Sequence, residues 1–428
     1  MKHVMKKLII TFLIITGIFI FWDTLNTPTF TFYNPLAEEV IPTEPEIADH
    51  QNEEVQDDYE NETTVNQIEH EEHDVERFFY NQLTSDVDRQ IYHIILNGLM
   101  NFEEEIIVEH DEVSRMHEIF VLITHDFPEI FWVTGSTNTT MRSWTDGRAE
   151  ATFKPTYVFT PEEIISRVAL IESEIEAFIS TVEADATDYE RVRLVYEHII
   201  RTTSYDLTAP HHQTIYSVFA NRASVCAGIS RAAQLLLNRL GVFATYVTGQ
   251  AYVPGTSSAP IGHAWNLVRV GGEYYFLDVT WGFPTFESDS AIGERIDVIY
   301  DYLLLTYDMI ASTHMITEGL ELPEVNSLTH TFFYKNNMFY TEVDESVLLD
   351  VLKRSVEQMD DWIAFQFSSA ELFEEAREIL LFELAPAAAQ HLIEYHELFS
   401  THYFIRERVS LNKITIYWVY EEAIESLR

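Results

Sequence analysis

Basic residues are scarce in this 428-residue chain: 26 Lys and Arg stand against 70 Asp and Glu, a formal net charge of -44 at pH 7. A surplus of that size opposes broad contact with nucleic acid or with an anionic membrane surface. Cysteine is scarcer still. A single one, Cys226, forbids an intramolecular disulfide and rules out a cysteine-based metal cluster. Long apolar runs are nearly absent. The run from Leu8 to Trp22 falls short of the ~20 residues that a transmembrane helix needs. What remains is ample core material, since 46% of residues are hydrophobic and 13% aromatic. That composition describes a globular chain of two or three domains.

Lys2, Lys6 and Lys7 precede the Leu8–Trp22 run, which is the pattern of an export signal or a membrane anchor over residues 1–22. No A-x-A-like cleavage site and no lipidation cysteine decides between the two. Either way the positive end stays inside and the rest is exported. No Lys or Arg occurs from Leu8 to Glu76. Residues 23–74 therefore read as an acidic, extended linker. The His70 and His73 pair inside it is spaced three apart, not four as in the H-E-x-x-H zinc motif, and reads as a solvated tract.

Periodicity then predicts an α/β module over 75–159. It has a helix over 78–99, a strand over 105–109, a helix over 114–126, and strands around 131–133 and 151–158. Thr160-Pro-Glu-Glu163 opens a long helix, with Thr160 as N-cap and Glu163 closing a capping box. Another helix covers about 188–201. Beyond Pro323, residues 323–428 read as a mixed module with a strand-like stretch over 331–340 that turns at Asn336-Asn337, helices over 346–359 and 369–381, and a helix-like end.

Residues 160–322 hold the chemistry. After Ser224-Val-Cys226, the residues Ile229, Ala232, Ala233, Leu236, Leu237 and Leu240 recur at helical spacing up to Gly241. Cys226 therefore stands at the first turn of a buried helix, where unpaired N–H groups and the dipole favour negative charge and can hold an oxyanion. Small Ala227 and Gly228 would let a substrate approach closely. Downstream, Gly262-His-Ala-Trp-Asn-Leu-Val-Arg-Val270 alternates as a strand, Gly271-Gly272 forms a two-residue turn, and Glu273-Tyr-Tyr-Phe-Leu-Asp-Val-Thr-Trp281 returns antiparallel. With that turn, Val270 faces Glu273. His263 and Asp278 become diagonal neighbours on one face. Cys226 is then the nucleophile, His263 its base and Asp278 the residue that orients the imidazole. Trp265 and Trp281 would wall the site. Ser224, Ala227, Gly228 and Gly262 complete the candidate pocket. His211-His212 reads as a loop pair.

These pieces, with Leu277-Asp-Val-Thr-Trp281 and Tyr300-Asp-Tyr-Leu-Leu-Leu305, resemble the transglutaminase-like superfamily, especially its bacterial exported members. Phe79-Tyr-Asn-Gln-Leu83 and Phe127-Pro-Glu-Ile-Phe-Trp132 look like the region that often precedes such domains, so the resemblance spans about 75–323. It implies an α+β fold, a papain-like core with small accessory α/β modules on either side. Where many relatives carry Gly two residues before the Cys and an aromatic after the following Gly, this chain has Ser224 and Ile229, a departure that bears on the acyl pocket. The implied chemistry is thiol-dependent acyl transfer on a protein or peptide substrate, with no cofactor and no metal. Membrane contact would come only through the N-terminal segment. Three readings stay open: a peptide or isopeptide hydrolase, a protein cross-linker, and a surface interaction module that keeps the fold without using it.

Overall fold

The computed structural model describes residues 29–32, 77–109, 113–145, 148–253, 259–286, 296–317, 320–396 and 402–420. The apolar N-terminal run and the His70/His73 pair lie outside the described residues. Among the described residues no helix is long and apolar enough to cross a membrane. Within the stretch read as linker, Thr29–Phe32 forms a strand, β1.

The chain is an α+β protein whose described strands form three four-stranded sheets and one two-stranded pair. The first part holds helices α1 (Phe78–Gln82), α2 (Asp86–Met100) and α3 (Val113–Asp126) and strands β2 (Ile106–Val108), β3 (Val133–Ser143) and β4 (Ala149–Tyr157). Its sheet runs β1-β3-β4-β2. The helix expected over 78–99 breaks in two because Ser85 caps α2 afresh, accepting from the Asp88 amide. Asp126 holds α1 in place: its carboxylate accepts the Phe79 and Tyr80 amides at 3.0 and 2.9 Å and the Tyr92 hydroxyl at 2.8 Å.

Helices α4 (Pro161–Ile179) and α5 (Asp188–Thr202) each begin with a complete capping box, Thr160 with Glu163 and Thr187 with Glu190. Short β5 (Ser204–Tyr205) and β6 (Ala223–Ser224) pair in parallel just before α6 (Cys226–Arg239). The second sheet has the order β10-β7-β8-β9, with β7 (Ala244–Ala251), β8 (Ile261–Val270), β9 (Glu273–Leu277) and β10 (His314–Ile316). Val270 pairs with Glu273, as the turn predicts. Gly271 and Gly272 sit at φ +59° and +88°, the left-handed region that a two-residue turn of this kind requires. A small helix α7 (Tyr307–Ile310) lies between β9 and β10.

Side chains alternate along β8. Asn266 points toward α6, its Nδ2 donating to the Ser230 carbonyl at 2.9 Å, while the Ser230 hydroxyl donates to the Ala264 carbonyl at 3.0 Å. Trp265 and Leu267 belong to a separate core with Val247, Phe276 and Trp281. Helix α6 is buried nearly all round, and one apolar core joins its Ile229, Leu236 and Leu237 to α2, α3 and β4. A buried bond from Gln234 Nε2 to the His125 carbonyl, 2.8 Å, ties α6 to the end of α3. Three helices, α8 (Phe332–Lys335), α9 (Glu345–Glu357) and α10 (Ala370–Ile379), precede α11 (Ala385–Tyr395). The third sheet, β11-β12-β14-β13, comprises β11 (Phe339–Tyr340), β12 (Trp362–Phe367), β13 (His402–Arg408) and β14 (Lys413–Val419), and has its own core. Here the sequence expectation of a strand over 331–340 is corrected. Residues 331–340 are a helical turn and a two-residue strand, and 402–419 is a hairpin that the sequence reading does not single out, while the last residues, 421–428, lie outside the described residues.

Candidate active site

Cys226 is the first residue of α6, and Val225 before it offers no capping side chain. The first-turn amides therefore lack intrahelical partners, which is where an anion is best held. Cys226 is partly exposed and packs with Val225, Ala227, Tyr246 and Ala264. Its neighbour across the site is His263, on β8 beside Ala264, close enough for the sulfur to favour the charged imidazole.

The ladder between β8 and β9 stops at Asn266 and Leu277. Asp278 leaves it because its amide donates instead to the Tyr302 carbonyl at 3.1 Å. Its Oδ1 accepts the Trp281 amide at 3.2 Å and so caps the 3₁₀ turn Thr280–Gly282, where the sequence pattern continues the strand. The diagonal contact forms nevertheless: His263 Nε2 lies 2.8 Å from Asp278 Oδ2, with both side chains buried. With Nε2 engaged, Nδ1 is the ring nitrogen left for the thiol.

A residue that the sequence does not single out joins this pair. His314 Nε2 lies 3.0 Å from the same Asp278 Oδ2, and its Nδ1 lies 2.8 Å from Thr313 Oγ1. His314 comes from β10, whose pairing with β7 aligns it with Ala251. Trp281 stacks on the His263 ring at 4.4 Å and 15°, and Trp265 stands edge-on to His314 at 4.8 Å.

Electrostatics divide the two histidines. Burial pushes His263 down, but the Asp278 carboxylate and the hydrogen bonds to Asp278 and Cys226 outweigh it and raise the imidazole from 6.5 to about 10. Burial opposes charge on Asp278 too, yet the two imidazoles hold it well below the usual carboxylate range. For His314, burial wins and its pKa falls. A neutral His314 facing a carboxylate must carry its proton on Nε2, so it donates to Asp278 and leaves Nδ1 to accept. Among the described residues, His263, Asp278 and His314 are the group whose donor atoms cluster as a metal site requires, within 4.8 Å of one another. Here Asp278 Oδ2 already accepts from both rings.

The other expected site residues divide. Trp265 and Trp281 enclose the imidazoles and are fully buried, so they shape the site from behind. Ser224 is buried and donates to the His212 carbonyl at 2.5 Å. A Cβ on Gly228 would meet Ser224 Oγ at 2.2 Å and the Thr214 and His212 carbonyls at 2.7 and 2.8 Å. Both residues therefore pack against the 212–214 segment, and Gly228 is small for that reason and not to admit substrate. Ala227 is buried in the Cys226 cluster, and Gly262 is exposed beside His263. His212 Nδ1 meets the Ala209 carbonyl at 2.9 Å, and the His211 ring packs on Phe159 at 4.4 Å. Tyr205 packs beside Cys226, and burial with the nearby sulfur keeps its phenol protonated by raising its pKa.

A helix bearing a cysteine at its start, set against an antiparallel sheet bearing His263 with Asp278 just past its hairpin, is the arrangement of the papain-like and transglutaminase-like thiol proteins. Residues 177–279 match the model of the transglutaminase-like superfamily, and the chain carries a transglutaminase-like domain over that span. A segment of 135 residues is 26% identical to the Homo sapiens protein named kyphoscoliosis peptidase, covering 29% of this chain and 20% of that protein. Among solved structures, one described as a TGase is 17% identical, with 33% of this chain and 43% of that chain covered and a TM-score of 0.24. A candidate cysteine protease from Cytophaga hutchinsonii is 18% identical, with 34% and 63% covered and a TM-score of 0.23.

Proposed function

We propose that this protein is a thiol acyltransferase or hydrolase acting on peptide or glutamine amides, with Cys226 as nucleophile. The observation that carries the reading is the buried 2.8 Å contact of His263 with Asp278, set beside Cys226 at the start of α6. His263 takes the thiol proton, and the sulfur attacks the amide carbonyl. The oxyanion is met by the Cys226 amide and, on this reading, by the protonated Tyr205 hydroxyl. His263 then returns the proton to the departing ammonia or amine, leaving an acyl group on sulfur. Asp278, itself braced by His314, keeps the imidazole aligned and supports its charge throughout.

Water as acceptor gives a peptidase or amidase, and a lysine amine gives a cross-linker. The name of the human relative favours water. The basic-then-apolar N-terminus supports action at the cell surface. The test is incubation of the full chain with a peptide library, with and without a fluorescent primary amine. Peptide release that disappears in Cys226→Ala supports the hydrolase, and amine incorporation supports the cross-linker. Turnover that survives Cys226→Ala overturns the thiol mechanism.

A further inference from the structure

Between the first α/β part and the transglutaminase-like domain lies a cavity of about 490 Å³. One wall comes from the end of α3 and the turn into β3, with buried Ile130 and Phe131. The opposite wall carries Arg231 of α6 and Tyr246 of β7. Concave, mostly apolar sites with a few convergent polar groups are the usual form of a ligand pocket.

Two polar groups in it are open to a ligand, half-buried Arg231 and buried His125. Arg231 bonds to the Gln213 carbonyl at 3.1 Å and to the Tyr246 hydroxyl at 3.3 Å, both through Nη1. Its guanidinium lies 4.3 Å over the Tyr246 ring. Among the described residues it has no carboxylate partner, although the chain carries 70 acidic residues and Arg115, Arg201, Arg239 and Arg377 are all paired with them. A guanidinium with no carboxylate of its own, set in a concave and mostly apolar pocket, is suited to one from a ligand. His125, buried at the end of α3, has no hydrogen-bond partner for Nδ1. An unmet buried ring nitrogen is costly unless a ligand meets it.

Tyr246 links the cavity to the thiol. Tyr246 shares a cluster with Cys226, and its hydroxyl is close enough to feel the sulfur's charge. We propose that this cavity seats the carboxylate-bearing arm of the acyl donor: an apolar residue against Ile130 and Phe131, and its carboxylate on Arg231. The carboxylate is either the free C-terminus of a peptide or an acidic side chain beside an apolar residue. This rests on the acyl-transfer reading for its meaning, but binding can be read without chemistry.

The experiment uses the full chain carrying Cys226→Ala and titrates N-acetyl-Leu-Phe with a free carboxylate, its C-terminal amide, and N-acetyl-Glu-Phe amide. The expected result is that a carboxylate probe binds at least about tenfold more tightly than the neutral amide, the worth of a charge-assisted pair. Which of the two carboxylate probes does so identifies the source. Arg231→Gln should remove the difference, and Arg231→Lys should restore part of it, with melting curves checking that each variant is folded. In the unsubstituted chain the same probe should slow alkylation of Cys226. Equal binding of acid and amide, no binding by any probe, or a preference untouched by Arg231→Gln would overturn the proposal. If a carboxylate binds but Cys226 proves no more reactive with His263 than without it, the cavity stands and the acyl-transfer reading falls.

Discussion

At the scale of single residues, burial and charge pull His263 in opposite directions, and charge wins. Its pKa in the folded chain is raised from 6.5 to about 10, so the native state holds that proton where the unfolded chain releases it. The resulting stability is fully present below pH 6.5 and is lost as pH rises through about 10. Asp278 is depressed below its ordinary 3.8, so its share is present above that value and lost on acidification. Both describe one ion pair, not two independent gains. We expect the urea midpoint to fall between pH 6 and pH 10, and the fall to shrink in His263→Gln. For catalysis, Asp278→Asn removes the charge that offsets burial, so the alkaline limb of kcat/KM should move from near 10 to below 6.5. Activity should drop by up to ~10⁴-fold on the precedent of serine-protease triads. A limb that stays in place would show that Asp278 does not govern the imidazole. Nothing in the sequence marks His314. It stands in a three-residue strand without a motif, and it reaches Asp278 only because β10 pairs with the far side of β7.

At the scale of elements, the reading succeeds where local chemistry dictates structure. The capping box of α4, the apolar face of α6 and the Gly271-Gly272 turn each impose one conformation, and the His263–Asp278 contact follows from that turn's register. It fails where a long-range partner decides. Asp278 ends β9 early because Tyr302 takes its amide, a contact that no local pattern encodes. Residues 402–419 become strands because β12 offers an edge for β14 to pair with. The small residues after Cys226 are visible in the sequence, but their reason is not: Gly228 makes room for the 212–214 segment and Ser224. Gly228→Ala should therefore cost ~1–3 kcal/mol through overpacking and displace that segment from α6. Denaturation by urea would measure the first effect. A loss of thiol reactivity disproportionate to the loss of stability would report the second.

At the scale of the whole molecule, the last part of the chain is fastened to the segment that holds Asp278. Asp301, next to Tyr302, is buried and meets Arg406 Nη1 at 3.0 Å, Arg408 Nε at 3.4 Å and the Lys413 ammonium, all from the β13–β14 hairpin. Burial disfavours its charge, but the three cations hold it well below the ordinary carboxylate range. Removing the carboxylate strands buried positive charge, so Asp301→Asn should destabilise the protein by ~3–5 kcal/mol, seen as an earlier urea transition or as separate unfolding of the C-terminal part. A variant as stable as the parent would show that the hairpin docks by packing alone. Because the whole chain holds a single cysteine, intact mass reports alkylation at Cys226 and nowhere else. The most direct test of the account compares the rate of iodoacetamide alkylation at pH 6 in the unsubstituted protein and in folded His263→Ala. A thiol held against the His263 imidazolium should react at least about tenfold faster than the variant. Equal rates would contradict the assignment of Cys226 and His263 as a working pair.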